Sequence, residues 1–226
     1  MRKDKDDAIK LRRNGYSYNQ ISQKMTIPKS TLSTWLKDVS LSQLAQEKIH
    51  KRVHDTSVKA LIKRNRQQTQ KSQEEHQKIR DFAALQYHKY TKDPLFIAGV
   101  AMYWSEGYKK GAYGSKWKSI DFANSDPAMI TIMIRFFEKF LHITKENMKI
   151  QIIAHKNVDA EKSMDYWHKI TKIPLKNFMK VSHVKNNSKN TRAKNTIPHG
   201  TIHVRITNVR LFFELIGWID EMKKTI

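Results

Sequence analysis

The chain has 226 residues, 39% of them hydrophobic, which is enough for one ordinary domain and a smaller one with real cores. Its 43 Lys and Arg against 21 Asp and Glu leave a formal net charge of +22, pointing to a polyanionic partner, nucleic acid above all. An aromatic content of 10% excludes a low-complexity basic tail, and the absence of cysteine excludes disulfides and thiolate zinc sites. No apolar run approaches the ~20 residues that span a bilayer, and the start "MRKDKDDAIK" lacks the apolar core of a signal peptide. The protein is therefore expected to avoid membranes and to remain cytoplasmic, in association with the nucleoid.

Residues 6–39, "DDAIKLRRNGYSYNQISQKMTIPKSTLSTWLKDV", parse into three short helices. Ala8, Ile9 and Leu11 give the first an apolar side, and Asn14-Gly15 ends it with a left-handed residue. Ser17 caps the second, whose Ile21 and Met25 lie four apart on one face. A tight turn through Thr26-Ile27 leads to Pro28 at the start of the third, where Leu32, Trp35 and Leu36 form the inward face. The stretch 17–35 resembles the helix-turn-helix of the resolvase and homeodomain-like group, with Thr26 standing where such turns usually carry glycine. The resemblance implies a third helix in the major groove of duplex DNA, with Lys29, Ser30, Ser33, Thr34 and Lys37 facing bases and phosphates. The helix-turn-helix domain is assigned to residues 1–40.

Residues 41–93 hold 12 basic and 6 acidic residues, without a glycine or proline. Apolar positions thin out after Ile62, and "KRNRQQTQKSQEEHQKIR" has only Ile79, too few for a buried face. This pattern predicts a basic, mostly helical connector. If wholly helical it would reach about 80 Å at ~1.5 Å per residue, more than two DNA turns of roughly 34 Å. His50 and His54 have a metal-compatible spacing but no third ligand nearby.

Residues 94–226 alternate helix and strand signals. A helix is expected over about 95–106, then a strand in "KSIDFANS" and a helix in "DPAMITIMIRFFEKFLHI" with Asp126 as N-cap and Pro127 at its first position. "MKIQIIAH" reads as a strand, "AEKSMDYWHKITKI" as a helix, "NFMKVSHVK" and "GTIHVRIT" as strands, and "VRLFFELIGWIDEM" as a closing helix, with room for one more short strand near 111–117. The fold class expected is α+β: helices on one face of an antiparallel sheet. The uncovered face would then carry Lys149, Gln151, His155, Lys180, Ser182, Thr201, His203, Arg205 and Thr207, nearly all basic or neutral. The loop 185–196 adds Lys189, Arg192 and Lys194 among others. A surface so lined suits a duplex backbone and its base edges.

Within this domain "GVAMYWSEG", 99–107, runs small and apolar and then ends in an acid followed by glycine. With the strand material after it, the segment resembles the LAGLIDADG homing endonuclease domain, over about 95–222. It is also similar to a group of prokaryotic proteins that join a helix-turn-helix to a "YW-x-EG-x-K" domain. In the LAGLIDADG family two such helices pack side by side along small residues, here Ala98, Ala101 and Ser105, and each delivers one carboxylate to a shared site. The resemblance implies a homodimer in which Glu106 and its symmetry mate bind Mg²⁺ or another divalent cation and hydrolyse a DNA phosphodiester. Lys109 would act as a catalytic cation and Lys110 would touch phosphate. The departures are Ala101 for a motif glycine, Trp104 for the first motif acid, and bulky Tyr103 and Trp104 near the helix end. Apart from any catalysis, an acid at a helix C-terminus is electrostatically unfavourable and requires a reason.

Other chemistries find less support. No nucleophile with an Arg or His–Arg cluster suggests a recombinase, no three spaced carboxylates suggest a transposase, and His155, His183, His199 and His203 lack paired metal-ligand spacing. No small-molecule substrate is indicated. Two readings therefore stand: a sequence-specific homing-type endonuclease, and a DNA-binding transcription regulator whose LAGLIDADG-like domain has lost catalysis.

Overall fold

A computed structural model of the protein describes residues 3–184 and 197–226. The chain divides into two compact units, Met1–Ser72 and Gln73–Ile226.

In the first unit, α1 (Lys3–Arg13), α2 (Tyr18–Met25) and α3 (Lys29–Leu36) enclose a small core of Ala8, Ile21, Leu32 and Leu36, flanked by Tyr16, Met25, Trp35 and other half-buried apolar residues. Gly15 leaves α1 at φ +87, a conformation open to glycine at no steric cost. Ser17 caps α2 in a full capping box, accepting from the Gln20 amide while the Gln20 side chain accepts from the Ser17 amide. Thr26, in the glycine position of the turn, takes φ +54, so the turn keeps its left-handed residue without a glycine. Pro28 sits at the N-cap of α3, one place earlier than its expected first helical position.

Helix α4 (Gln43–Tyr90) contributes to both units. Its first turns carry Ala45, which is buried, and Arg52, whose guanidinium donates to the Gly15 carbonyl (3.2 Å) and to Gln20 Oε1 (2.7 Å). Its last turns place Ala83 and Tyr87 in the second unit's core, with Ile79 and Tyr90 packed against it. Sparse apolar residues thus suffice there, because they recur at positions 79, 83, 87 and 90, on one helical face.

The second unit contains α5 (Pro94–Glu106), β1 (Ile120–Asn124), α6 (Pro127–Phe140), β2 (Lys149–His155), α7 (Ala160–Thr171), β3 (Ser182–Val184), β4 (Thr201–Ile206) and α8 (Val209–Thr225). Asp93, Asp126, Asp159 and Asn208 cap α5, α6, α7 and α8, each accepting from backbone amides of the first turn. The architecture is α+β, as the sequence predicts, but the sheet is mixed. Its order is β1-β4-β2-β3, with β1–β4 and β4–β2 antiparallel and β2–β3 parallel. The expected antiparallel pairing holds for two of the three strand pairs and is corrected at the third, β2–β3. Helix α7 carries the chain from β2 back across the sheet, and such a crossover returns the next strand in the same direction. No strand forms near 111–117; a 3₁₀ turn, Lys110–Tyr113, takes its place.

Period-two alternation divides β2 and β4 into a buried and a wetter row, and in β1 it turns Ile120 and Phe122 to the same side as the buried row. Ile120 and Phe122, Ile150 and Ile152, and Ile202, Val204 and Ile206 are buried against Phe96, Val100, Tyr103, Phe137, Phe212 and Trp218 of the helices. Burying that many large apolar side chains, each worth about 1.5–3 kcal/mol, supplies the main stabilisation of this unit. The opposite face is the one left for polar residues. Among the described residues no helix is long and apolar enough to cross a membrane.

Candidate nucleic-acid interface

On α3 the inward residues Leu32 and Leu36 leave Lys29, Ser30, Ser33, Thr34 and Lys37 exposed on the other side of a two-turn helix. Thr34 Oγ1 donates back to the Ser30 carbonyl at 3.2 Å. All five residues expected to face DNA are thus solvent-facing, and none is held by another side chain among the described residues.

The uncovered face of the sheet follows from strand register. One row across β1, β4 and β2 is Asp121, Arg205, Lys149; the next is Ala123, His203, Gln151; Thr201 and Ile153 follow, with Ser182 opposite Ile153. Lys149 Nζ donates to Asn177 Oδ1 (3.1 Å) and Gln151 Nε2 to Ser182 Oγ (2.9 Å). Lys180 is exposed but precedes β3, so it belongs to the approach to that strand. Lys189, Arg192 and Lys194 lie outside the described residues.

The sequence reading missed the acid that the edge strand β1 brings to this face. Asp121 is only 7% exposed. Its two oxygens accept separately, from His203 Nδ1 at 2.9 Å and from Arg205 Nε at 3.0 Å. The Arg205 guanidinium also lies 5.6 Å from the ring centroid of Trp117, which packs on Tyr108 at 4.5 Å. The signal was present in "SIDFAN": alternation that turns Ile120 and Phe122 inward turns Asp121 outward.

Glu106 is the last residue of α5 and is exposed. No basic group among the described residues pairs with its carboxylate. Lys109 is half-buried, and its ammonium donates to the Gly107 carbonyl. Burial lowers the Lys109 pKa below its ordinary value, Glu106 pulls it back up, and Lys223 adds to the lowering. Lys110, one residue on, is exposed. Of the small residues on α5, Ala98 is half-buried whereas Ala101 and Ser105 are exposed, beside Trp104 at 39% exposure with Lys223 over its ring. Tyr103 by contrast is wholly buried. Its hydroxyl donates to the Tyr108 carbonyl (2.9 Å) and accepts from the Asp121 amide (3.3 Å), and burial pushes its pKa above the usual phenol range.

To a divalent cation Glu106 would bring one carboxylate, with water and phosphate oxygens to complete the shell. Mg²⁺ favours several oxygen ligands in octahedral geometry, and among the described residues no three His, Asp or Glu side chains gather in one place. Glu106 offers a single carboxylate, and the homodimer expected from the sequence would bring a second. Comparison with protein-family models, with curated proteins and with solved structures finds no match.

Proposed function

We propose that the protein binds double-stranded DNA sequence-specifically, through the exposed side of α3 and through the uncovered face of the β-sheet. The observation that carries this reading is the strand register, which gathers Lys149, Gln151, His203 and Arg205 in two adjacent rows. A polar, cation-rich surface of this kind attracts phosphate and offers donors to base edges. The helix-turn-helix resemblance of residues 17–35 supports α3 as the second contact surface, with Lys29 and Lys37 toward phosphates and Ser30, Ser33 and Thr34 toward bases. Titrating the purified chain into labelled duplex at several salt concentrations tests it. The apparent association constant should fall by about 0.9 log units per log unit of salt for each phosphate neutralised, and a flat response would overturn the proposal.

A second reading adds catalysis: a LAGLIDADG-like homodimer acting as a metal-dependent endonuclease, with a Glu106 from each copy at the cleavage site. It is favoured by the exposed line Ala101–Ser105 running to an exposed, unpaired Glu106 on an otherwise apolar helix. Plasmid and genomic DNA incubated with the protein, with and without Mg²⁺, decide between nuclease and regulator. Cleavage that needs Mg²⁺ and is lost in Glu106→Gln supports the nuclease; DNA binding without cleavage supports a transcription regulator.

A further inference from the structure

An aspartate on a cationic, phosphate-seeking surface is costly to that surface, since it repels the ligand and cancels neighbouring positive charge. Asp121 pairs with Arg205 near one end of the β1–β4 ladder, and both of its oxygens are engaged, by His203 and by Arg205. At 7% exposure it is too buried to meet a ligand itself. What it does is fix its neighbours. Arg205 is held at Nε by Asp121 and flanked by the Trp117 ring, while neither terminal guanidinium nitrogen has a partner among the described residues.

A phosphate contact requires charge and tolerates a mobile side chain. A base contact requires direction, because an arginine fork must meet the O6 and N7 of guanine together. Partial neutralisation by Asp121 weakens the first use of Arg205, and immobilisation by Asp121 and Trp117 favours the second. Lys149, in the same row and exposed, remains available for phosphate.

We infer that Arg205 reads a guanine edge in the major groove of duplex DNA and that Asp121 is its positioning residue. This rests on the sheet face being a duplex-facing surface. It adds which residue of the face carries sequence information and what holds that residue in place, and it names the base.

The test is selection of binding sites from duplexes with a randomised centre, using the full chain as wild type, Arg205→Lys and Asp121→Asn. Wild type should enrich sites with a guanine at one fixed position. Arg205→Lys keeps the charge but loses the fork, so that one preference should fall about 10- to 100-fold while the salt slope and affinity for unselected duplex change little. Asp121→Asn, which keeps an acceptor oxygen, should reduce the same preference at the same position. If Asp121→Asn does not fold, as thermal melting would reveal, Arg205→Lys alone decides. Identical selected motifs in wild type and Arg205→Lys would overturn the inference, as would an equal loss on every duplex in both variants. Salt-dependent binding by wild type that shows no guanine preference sinks this inference alone, whereas no duplex binding at all sinks the proposed function with it.

Discussion

The two surfaces assigned to DNA are built on different principles. On α3 the outward residues are short or flexible side chains on eight helical residues, and their geometry comes from the backbone alone. On β4 the outward residues are locked to one another, with Asp121 tying His203 to Arg205 and Trp117 beside the guanidinium. A helix end can adapt its side chains as it enters a groove; a braced sheet row presents one arrangement. The first arrangement should lose little when one residue is trimmed, and the second should respond as a unit.

The largest effect expected is on the core beneath α3. Leu32→Ala should cost about 2–5 kcal/mol, opening the first unit as seen by faster amide exchange over residues 17–36, while the sheet face keeps its own DNA contacts. Loss of binding by both surfaces would show that they are not independent. On the sheet, Asp121→Ala strips two half-buried cationic or donor groups of their acceptor and should destabilise the second unit by about 1–3 kcal/mol in thermal denaturation. A smaller change would mean that Arg205 and His203 readily reach water. Lys37→Ala on α3 should weaken binding evenly across sequences and reduce the salt slope by about 1, with no change in melting temperature. A sequence-dependent loss there would erase the contrast between the two surfaces.

The smallest effect concerns His76, stacked on Phe213 at 3.9 Å. Burial and the charge of Lys118 lower its pKa, against a weaker opposing pull from Glu75. The unfolded chain therefore binds this proton first, and stability contributed by the neutral ring is lost as pH falls through the ordinary histidine value toward the lowered one. His76→Phe keeps the stack and should flatten the melting temperature across that window. An unchanged pH profile would assign the dependence to other groups.

How much of this was readable beforehand depends on which force fixed each element. Helices α1 to α3, α6 and α8 follow from apolar periodicity and caps such as Ser17 and Asp126, which are local signals, and they stand where the sequence places them. The parallel pairing of β2 with β3 depends on where α7 delivers the chain, a matter of tertiary packing that no local pattern carries. The docking of Ile79, Ala83, Tyr87 and Tyr90 was hidden for the same reason: a stretch this polar reads as solvated until its partner helix supplies the other half of the contact. For the site, alternation put Lys149, Gln151, His203 and Arg205 on one face. The pairing of Asp121 with two of them required knowing that β1 lies next to β4, its neighbour in space but not in sequence.

Gly107 bears on how relatives of this chain could be recognised. A Cβ at this position would sit 2.5 Å from Cγ of the buried Tyr103 ring, and the glycine's φ of −74 is one that any residue can adopt. The glycine after Glu106 is thus explained by the tyrosine four residues earlier, whatever the acid does. In descendants of a common ancestor, position 107 should admit a side chain only where position 103 has shrunk, so the two ought to covary. The acid between them is free of that linkage, and its presence or loss across a lineage would then record selection on Glu106 alone.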